Sequence, residues 1–124
     1  MGLIFEKESF AIRGAVFEVY KEMGCGFLEA VYQECIEKEL GNRGIAFVAQ
    51  AELRLKYKEE ALKLSYKPDF ICYDKIILEL KAVKDISDQH RAQIINYLKA
   101  TGMELGLLIN FGSHPQVEIE RFVL

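Results

Sequence analysis

Two apolar runs, Phe70-Ile71-Cys72-Tyr73 and Ile76-Ile77-Leu78, stand on either side of the polar pair Asp74-Lys75. Short apolar runs around such a break read as buried β-strands closed into a hairpin. Polar residues interrupt the pattern at its outer ends, as Pro68-Asp69 before the first run and Glu79-Leu80-Lys81 after the second. A turn centred on Asp74 sets Asp69 directly opposite Glu79, with Cβ atoms about 4.5–5.5 Å apart. Lys81, two residues beyond Glu79, then points to the same face. A two-residue turn on Asp74-Lys75 shifts the register by one and pairs Asp69 with Leu80 instead. In the first register two carboxylates and an ammonium converge on one patch of an apolar hairpin, a cluster with the character of a divalent-metal site. The competing reading is a solvated hairpin face on which Glu79 and Lys81 form a weak pair.

The 124 residues suit one domain with a single core. Hydrophobic residues at 51% and charged residues at 28% are ordinary for a soluble globular chain. No stretch approaches the roughly 20 apolar residues that span a bilayer, and the N-terminus carries no signal-peptide pattern. Position 6 is Glu6, where a myristoylation motif wants Ser or Thr. The expectation is an intracellular, cytoplasmic protein with no membrane partner. Cys25, Cys35 and Cys72 lack the spacing of a zinc finger or disulfide scaffold. His90 and His114 read as isolated surface histidines.

A net charge of −3 argues against a simple nucleic-acid coat. It leaves room for an enzyme acting on nucleic acid, because a bound divalent cation offsets the site carboxylates. Positive charge is also local. Arg54, Lys56, Lys58, Lys63 and Lys67 crowd one segment, with Tyr57 and Tyr66 among them; the segment is either a phosphate-facing surface or a solvated hairpin flank.

From Phe5 to about Met23, the residues Phe10, Ile12, Val16, Phe17, Val19 and Tyr20 recur near helical spacing, and Gly24-Cys25-Gly26 ends the run. A second helix is expected from Leu28 to about Asn42, with Leu28, Val31, Tyr32, Cys35, Ile36 and Leu40 as its apolar stripe. Strand-like sequence runs from Ile45 through Tyr57, from about Leu62 into Tyr73, and from Ile76 to Val83. Ser87 is placed to cap a helix that reaches Ala100 and stops at Gly102. Leu105 to Phe111 reads as a buried strand and Val117 to Val123 as an edge strand. A strand reached through a helix lies parallel to its predecessor by a right-handed crossover. The expected fold class is therefore α/β, a mixed β-sheet flanked by helices.

Helix, three strands, helix, strand, with PD and then ExK in this order, resembles the PD-(D/E)XK nuclease superfamily and its restriction-endonuclease-like core. Gly26-Phe27-Leu28-Glu29-Ala30-Val31-Tyr32 matches the GxxExxY signature of one family within it, and Gln93-Ile94-Ile95-Asn96-Tyr97 matches the QxxxY motif of the RecB-like branch. The resemblance implies that residues 1–124 form one nuclease-like domain. It implies that Asp69 and Glu79 are metal ligands, with the Leu80 carbonyl as a third and Glu29 as a further ligand, direct or through water. Such oxygen donors suit Mg²⁺ or Mn²⁺. By the same resemblance Lys81 positions the attacking water and offsets phosphate charge. Gln93 holds substrate or orders the metal site, Tyr97 supports Gln93, and Tyr32 either fixes Glu29 or is simple core.

The function so implied is hydrolysis of a nucleic-acid backbone by metal-activated water, on DNA in preference to RNA. The alternative is a catalytically silent module of the same fold that binds nucleic acid or a protein. So small a domain takes its specificity from a partner, a homodimer or its loops. Nothing in the sequence separates endo- from exonuclease action.

Overall fold

A computed structural model describes residues 4–124 of the protein. Its elements in chain order are α1 (Glu6–Met23), α2 (Glu29–Asn42), β1 (Phe47–Ala49), β2 (Leu53–Tyr57), β3 (Glu60–Tyr66), β4 (Phe70–Cys72), β5 (Ile76–Lys81), α3 (Asp88–Thr101), β6 (Leu105–Asn110) and β7 (Glu118–Val123). Five strands form the main sheet in the order β1-β4-β5-β6-β7, and β2 and β3 form a separate hairpin. β1, β4 and β5 are antiparallel neighbours. β6 lies parallel to β5 after crossing over through α3, and β7 closes the far edge antiparallel to β6. The fold is thus the mixed α/β sheet flanked by helices of the restriction-endonuclease-like class.

Strand alternation explains why the sheet is a middle layer. In β5 and β6, Ile76, Leu78, Leu80, Leu105, Leu107 and Ile109 face α1 and α2, where they pack with Ile12, Val16, Tyr32, Ile36 and Leu40. The intervening residues face the other way. Ile77 packs with Leu98 and Tyr66, and Leu108 packs with Ile94 and Ile86. Glu79 and Lys81 share the face of Ile77 and therefore lie on the side of α3 and the hairpin. Gly106 lies on this side as well. A Cβ there would stand 2.9 Å from the Ile94 side chain, so its absence lets α3 settle close on the sheet.

Four readings of the sequence need correction. The run from Ile45 to Tyr57 is not one strand: Gln50 adopts φ 57° and separates β1 from β2. The run from Leu62 to Tyr73 is likewise broken at Lys67-Pro68, between β3 and β4. Proline cannot donate to a ladder, so the chain changes sheets there. Phe10 and Phe17, placed in the apolar stripe of α1, are 77% and 52% exposed. The buried stripe of α1 is Ile12, Ala15, Val16 and Val19, and residues seven apart on another helix face point outward together. Leu28 is likewise 78% exposed, because it serves as the N-cap of α2 rather than part of its stripe.

Candidate functional site

The turn between β4 and β5 decides what the site looks like. The ladder pairs Cys72 with Ile76, Ile71 with Ile77 and Phe70 with Leu78. The loop therefore has three residues centred on Asp74, of which Tyr73 and Asp74 take φ 56° and 60°. One rung further, this register sets Asp69 against Glu79. The two residues leave the ladder as a facing pair at the end of the strands, with Lys81 two residues beyond.

Each carboxylate is anchored at one oxygen. Asp69 Oδ2 accepts the Leu80 N–H at 2.7 Å. Glu79 Oε1 accepts the phenol of Tyr66, a residue at the base of the hairpin. The Tyr66 ring stacks on Tyr97 with centroids 3.4 Å apart, and the Gln93 amide donates to the Tyr97 hydroxyl at 2.8 Å. Gln93 and Tyr97 thus reach the carboxylate pair through Tyr66. In the sequence Tyr66 stands out only as one of two tyrosines in the basic segment, not as a partner of the carboxylates.

Backbone geometry supplies another oxygen. Within a strand, a residue's N–H and C=O point to the same edge, and successive residues alternate. Phe111 donates its N–H to the Lys81 carbonyl at 2.8 Å, so Lys81 faces β6. Leu80 then faces the β4 edge, as its bond to Asp69 also requires. Two rungs past Phe70–Leu78, the position level with Leu80 is Pro68, which has no N–H to give its carbonyl. Pro68 is thus where the sheet stops pairing and an acceptor is left beside the carboxylates.

The electrostatics follow from crowding. Burial pushes Glu79 up to about 7, and the Asp69 charge adds to the rise, while the Tyr66 hydrogen bond and Lys81 oppose it. Burial also raises Asp69, against the Leu80 N–H and Lys81. Desolvation raises the carboxyl of Glu29 at the start of α2; Lys81 and His90 pull it down and Asp69 pushes it up. Glu29 therefore lies within electrostatic reach of the pair although it belongs to the opposite layer. Desolvation and hydrogen bonding to Glu79 push the Tyr66 phenol far up, which keeps it a donor.

Two elements hold this end of the sheet in place. Asn110, fully buried at the end of β6, accepts the N–H groups of Val83 and Gly112 at 3.0 Å and donates to the Val83 carbonyl at 2.9 Å. That fixes the chain just after Lys81. Ser87 caps α3, its hydroxyl accepting the His90 N–H at 3.2 Å while His90 Nδ1 accepts the Ser87 N–H at 3.1 Å. Tyr32 is a fully buried core residue, one of the two roles expected of it. Its hydroxyl donates to the Gly24 carbonyl at 2.6 Å and accepts from the Phe27 N–H at 3.2 Å. It fixes the loop leading into α2, and with it the position of Glu29, without bonding to that carboxylate.

Asp69, Glu79 and the Leu80 carbonyl are hard oxygen donors of the kind Mg²⁺ and Mn²⁺ prefer. Burial raises both carboxyls, and the Asp69 charge raises Glu79 further; a divalent cation offsets both costs, so the donor set fits such an ion. Among the described residues no three His, Cys, Asp or Glu side chains are gathered closely enough to hold a metal as they stand. Glu29 thus does not close the set as a directly bound third carboxylate in this conformation. Among the described residues no helix is long and apolar enough to cross a membrane.

Comparison with known proteins agrees with the geometry. No curated protein matches this sequence. The fold is similar to that of the solved structure of SSO0001, with a TM-score of 0.56 and 19% identity over 76% of this chain. The match covers 48% of that protein, so the chain spans about half its length. The profile of the PD-(D/E)XK nuclease superfamily matches residues 6–122, across both PD and ExK. With those motifs meeting at one end of a sheet of the right topology, the chain belongs to the PD-(D/E)XK nuclease superfamily.

Proposed function

We propose that this protein is a divalent-metal-dependent phosphodiesterase that cleaves a nucleic-acid backbone, DNA in preference to RNA. Within the superfamily we assign it to the GxxExxY family of the RecB-like branch, on Gly26–Tyr32 and on Gln93 with Tyr97. The observation that carries the reading is the β4–β5 register, which opposes Asp69 to Glu79 beside Leu80 and Lys81. In this reading residues 1–124 act as one catalytic domain, with a homodimer or a protein partner adding specificity.

Asp69, Glu79 and the Leu80 carbonyl would hold Mg²⁺ or Mn²⁺, with Glu29 contributing through water. The ion, when bound, supplies a water of lowered pKa and charge neutralisation at the phosphate. The protein's own groups do the rest. Lys81, beside two carboxylates, stabilises charge developing on the phosphate oxygens. Tyr66 holds Glu79 in one orientation, and the Gln93–Tyr97 pair fixes Tyr66 through the ring stack.

The test is a gel assay of single-stranded, double-stranded and branched DNA and of RNA, each with Mn²⁺, Mg²⁺ or EDTA. The expected result is cleavage that needs the metal and is lost, by roughly a hundredfold or more, in Asp69→Ala and Lys81→Ala. Undiminished cleavage in both variants would overturn the mechanism. No cleavage of any substrate would leave the silent nucleic-acid- or protein-binding module in its place.

A further inference from the structure

The hairpin of β2 and β3 is a small sheet of its own, anchored where Leu53, Leu55 and Tyr66 pack with Ile77 and Leu98. Beyond that anchor it stands open. Residues Glu60 to Leu64 are all exposed, and Tyr57, Leu62 and Leu64 are 63%, 39% and 77% exposed. Its charge is as one-sided as its packing. Residues 53–67 hold five cations, Arg54, Lys56, Lys58, Lys63 and Lys67, against the two carboxylates Glu59 and Glu60. This stretch is therefore +3 in a chain of net −3, which leaves −6 for everything else.

Three cations outside the hairpin are held in ion pairs. Arg43 is paired with Glu39 at 2.7 Å, Lys75 with Glu8 at 2.8 Å, and Arg91 with Asp88 and Glu120 at 2.8 Å. Among the described residues no ion pair includes any of the five hairpin cations. Arg54 donates only to the Leu62 carbonyl, at 3.0 Å across the hairpin. Strand alternation sets Arg54 and Lys56 on the face opposite Leu53 and Leu55. Arg54 pairs with Ser65, and Lys56 with Ala61. The register shifts between these two pairs, and Lys63 lies in the irregular stretch of β3 opposite, exposed like Arg54 and Lys56.

From these observations we infer that the hairpin is the docking surface for the phosphate backbone of the nucleic acid, a reading that rests on the function proposed above. Unpaired cations on an exposed face are what a polyanion can neutralise with release of its counterions. The rest of the molecule, acidic overall, repels that polyanion. The surface is also continuous with the candidate site. At the foot of β3 Tyr66 bonds Glu79, and Lys67 leads through Pro68 into Asp69. A backbone laid along the hairpin is thereby delivered to the carboxylates. Lysines on exposed strands also discourage edge-to-edge pairing. That role alone leaves nucleic-acid affinity untouched when the charges go, which makes the two separable.

The test measures binding without catalysis. Fluorescence anisotropy of labelled single-stranded and duplex DNA oligonucleotides is recorded in EDTA over a salt series. The proteins compared are the unmodified chain, Asp69→Ala, and the triple variant Arg54→Gln, Lys56→Gln, Lys63→Gln. A second triple variant to Ala and a thermal melt of each protein guard against a folding defect. On the probe bound more tightly, the unmodified chain and Asp69→Ala are expected to share one salt slope. Both triple variants should lose about two units of that slope, at roughly 0.7–0.9 per phosphate contact, and at least about tenfold in affinity at low salt. An unchanged slope and affinity in properly folded triple variants overturns the proposal, as does failure of the unmodified chain to bind either probe. A lost slope with a negative cleavage assay retains the docking surface and removes the nuclease; cleavage with an unchanged slope does the reverse.

Discussion

Glu79 sits on a strand whose other residues are nearly all apolar, and that placement sets its chemistry. Burial and the nearby Asp69 push its carboxyl up to about 7, whereas an unfolded glutamate titrates near about 4.3. A folded-state value above the unfolded one means that the native protein binds the extra proton between the two. The corresponding stability is fully present below the unfolded value and is lost as pH rises through the folded one. In the metal-free protein, stability should therefore fall between about pH 4.5 and 7.5, with up to about 3 kcal/mol due to this group. Urea unfolding across that range checks it, and Glu79→Gln should flatten the decline. A decline of the same size in Glu79→Gln would assign it to other groups. At this scale Asp69, Glu79 and Lys81 were legible because they are polar interruptions in apolar strands. Tyr66 was not, since its meeting with Glu79 depends on where the chain turns at Lys67-Pro68, and an aromatic residue in a strand looks the same whether it packs or donates.

At the scale of elements, the helices and the β4–β5 hairpin were readable from periodicity, caps and turn residues, as with Ser87 and Gly102 around α3. The split of the strands at Gln50 and at Pro68 was not. The apolar pattern continues past both breaks, and only the pairing partners show that β2 and β3 have left the main sheet. The buried anchor behind the site was equally invisible. Asn110 looks like an ordinary polar residue at a strand end, yet it satisfies three backbone groups of the chain after Lys81 and after itself. Asn110→Ala leaves the half-buried Val83 N–H and carbonyl without that partner. The expected cost is about 2–3 kcal/mol in urea denaturation, and a loss below about 0.5 kcal/mol would show that water or a rearranged loop replaces the side chain.

Across the whole molecule, the crossover rule gave the parallel β5–β6 pair and a mixed sheet flanked by helices, so the architecture could be anticipated. The crowding of cations from Arg54 to Lys67 was legible as well, but not where that segment lies relative to the site. Net charge hides a hairpin of one sign on a body of the other, and only the fold shows that the hairpin ends beside the carboxylates. What the layers achieve together is a pair of acids held close at the end of the sheet, each anchored at one oxygen and raised by burial, Glu79 further by the Asp69 charge. The central claim is that this pair is a divalent-metal site. Calorimetric titration of Mn²⁺ into the protein near pH 7, in buffers of different ionisation enthalpy, tests it most directly. The prediction is saturable binding with proton release, because the metal must displace the proton that Glu79 retains near neutrality, and loss of that binding in Asp69→Ala. Heats that are absent, or the same in Asp69→Ala as in the unmodified chain, would contradict it.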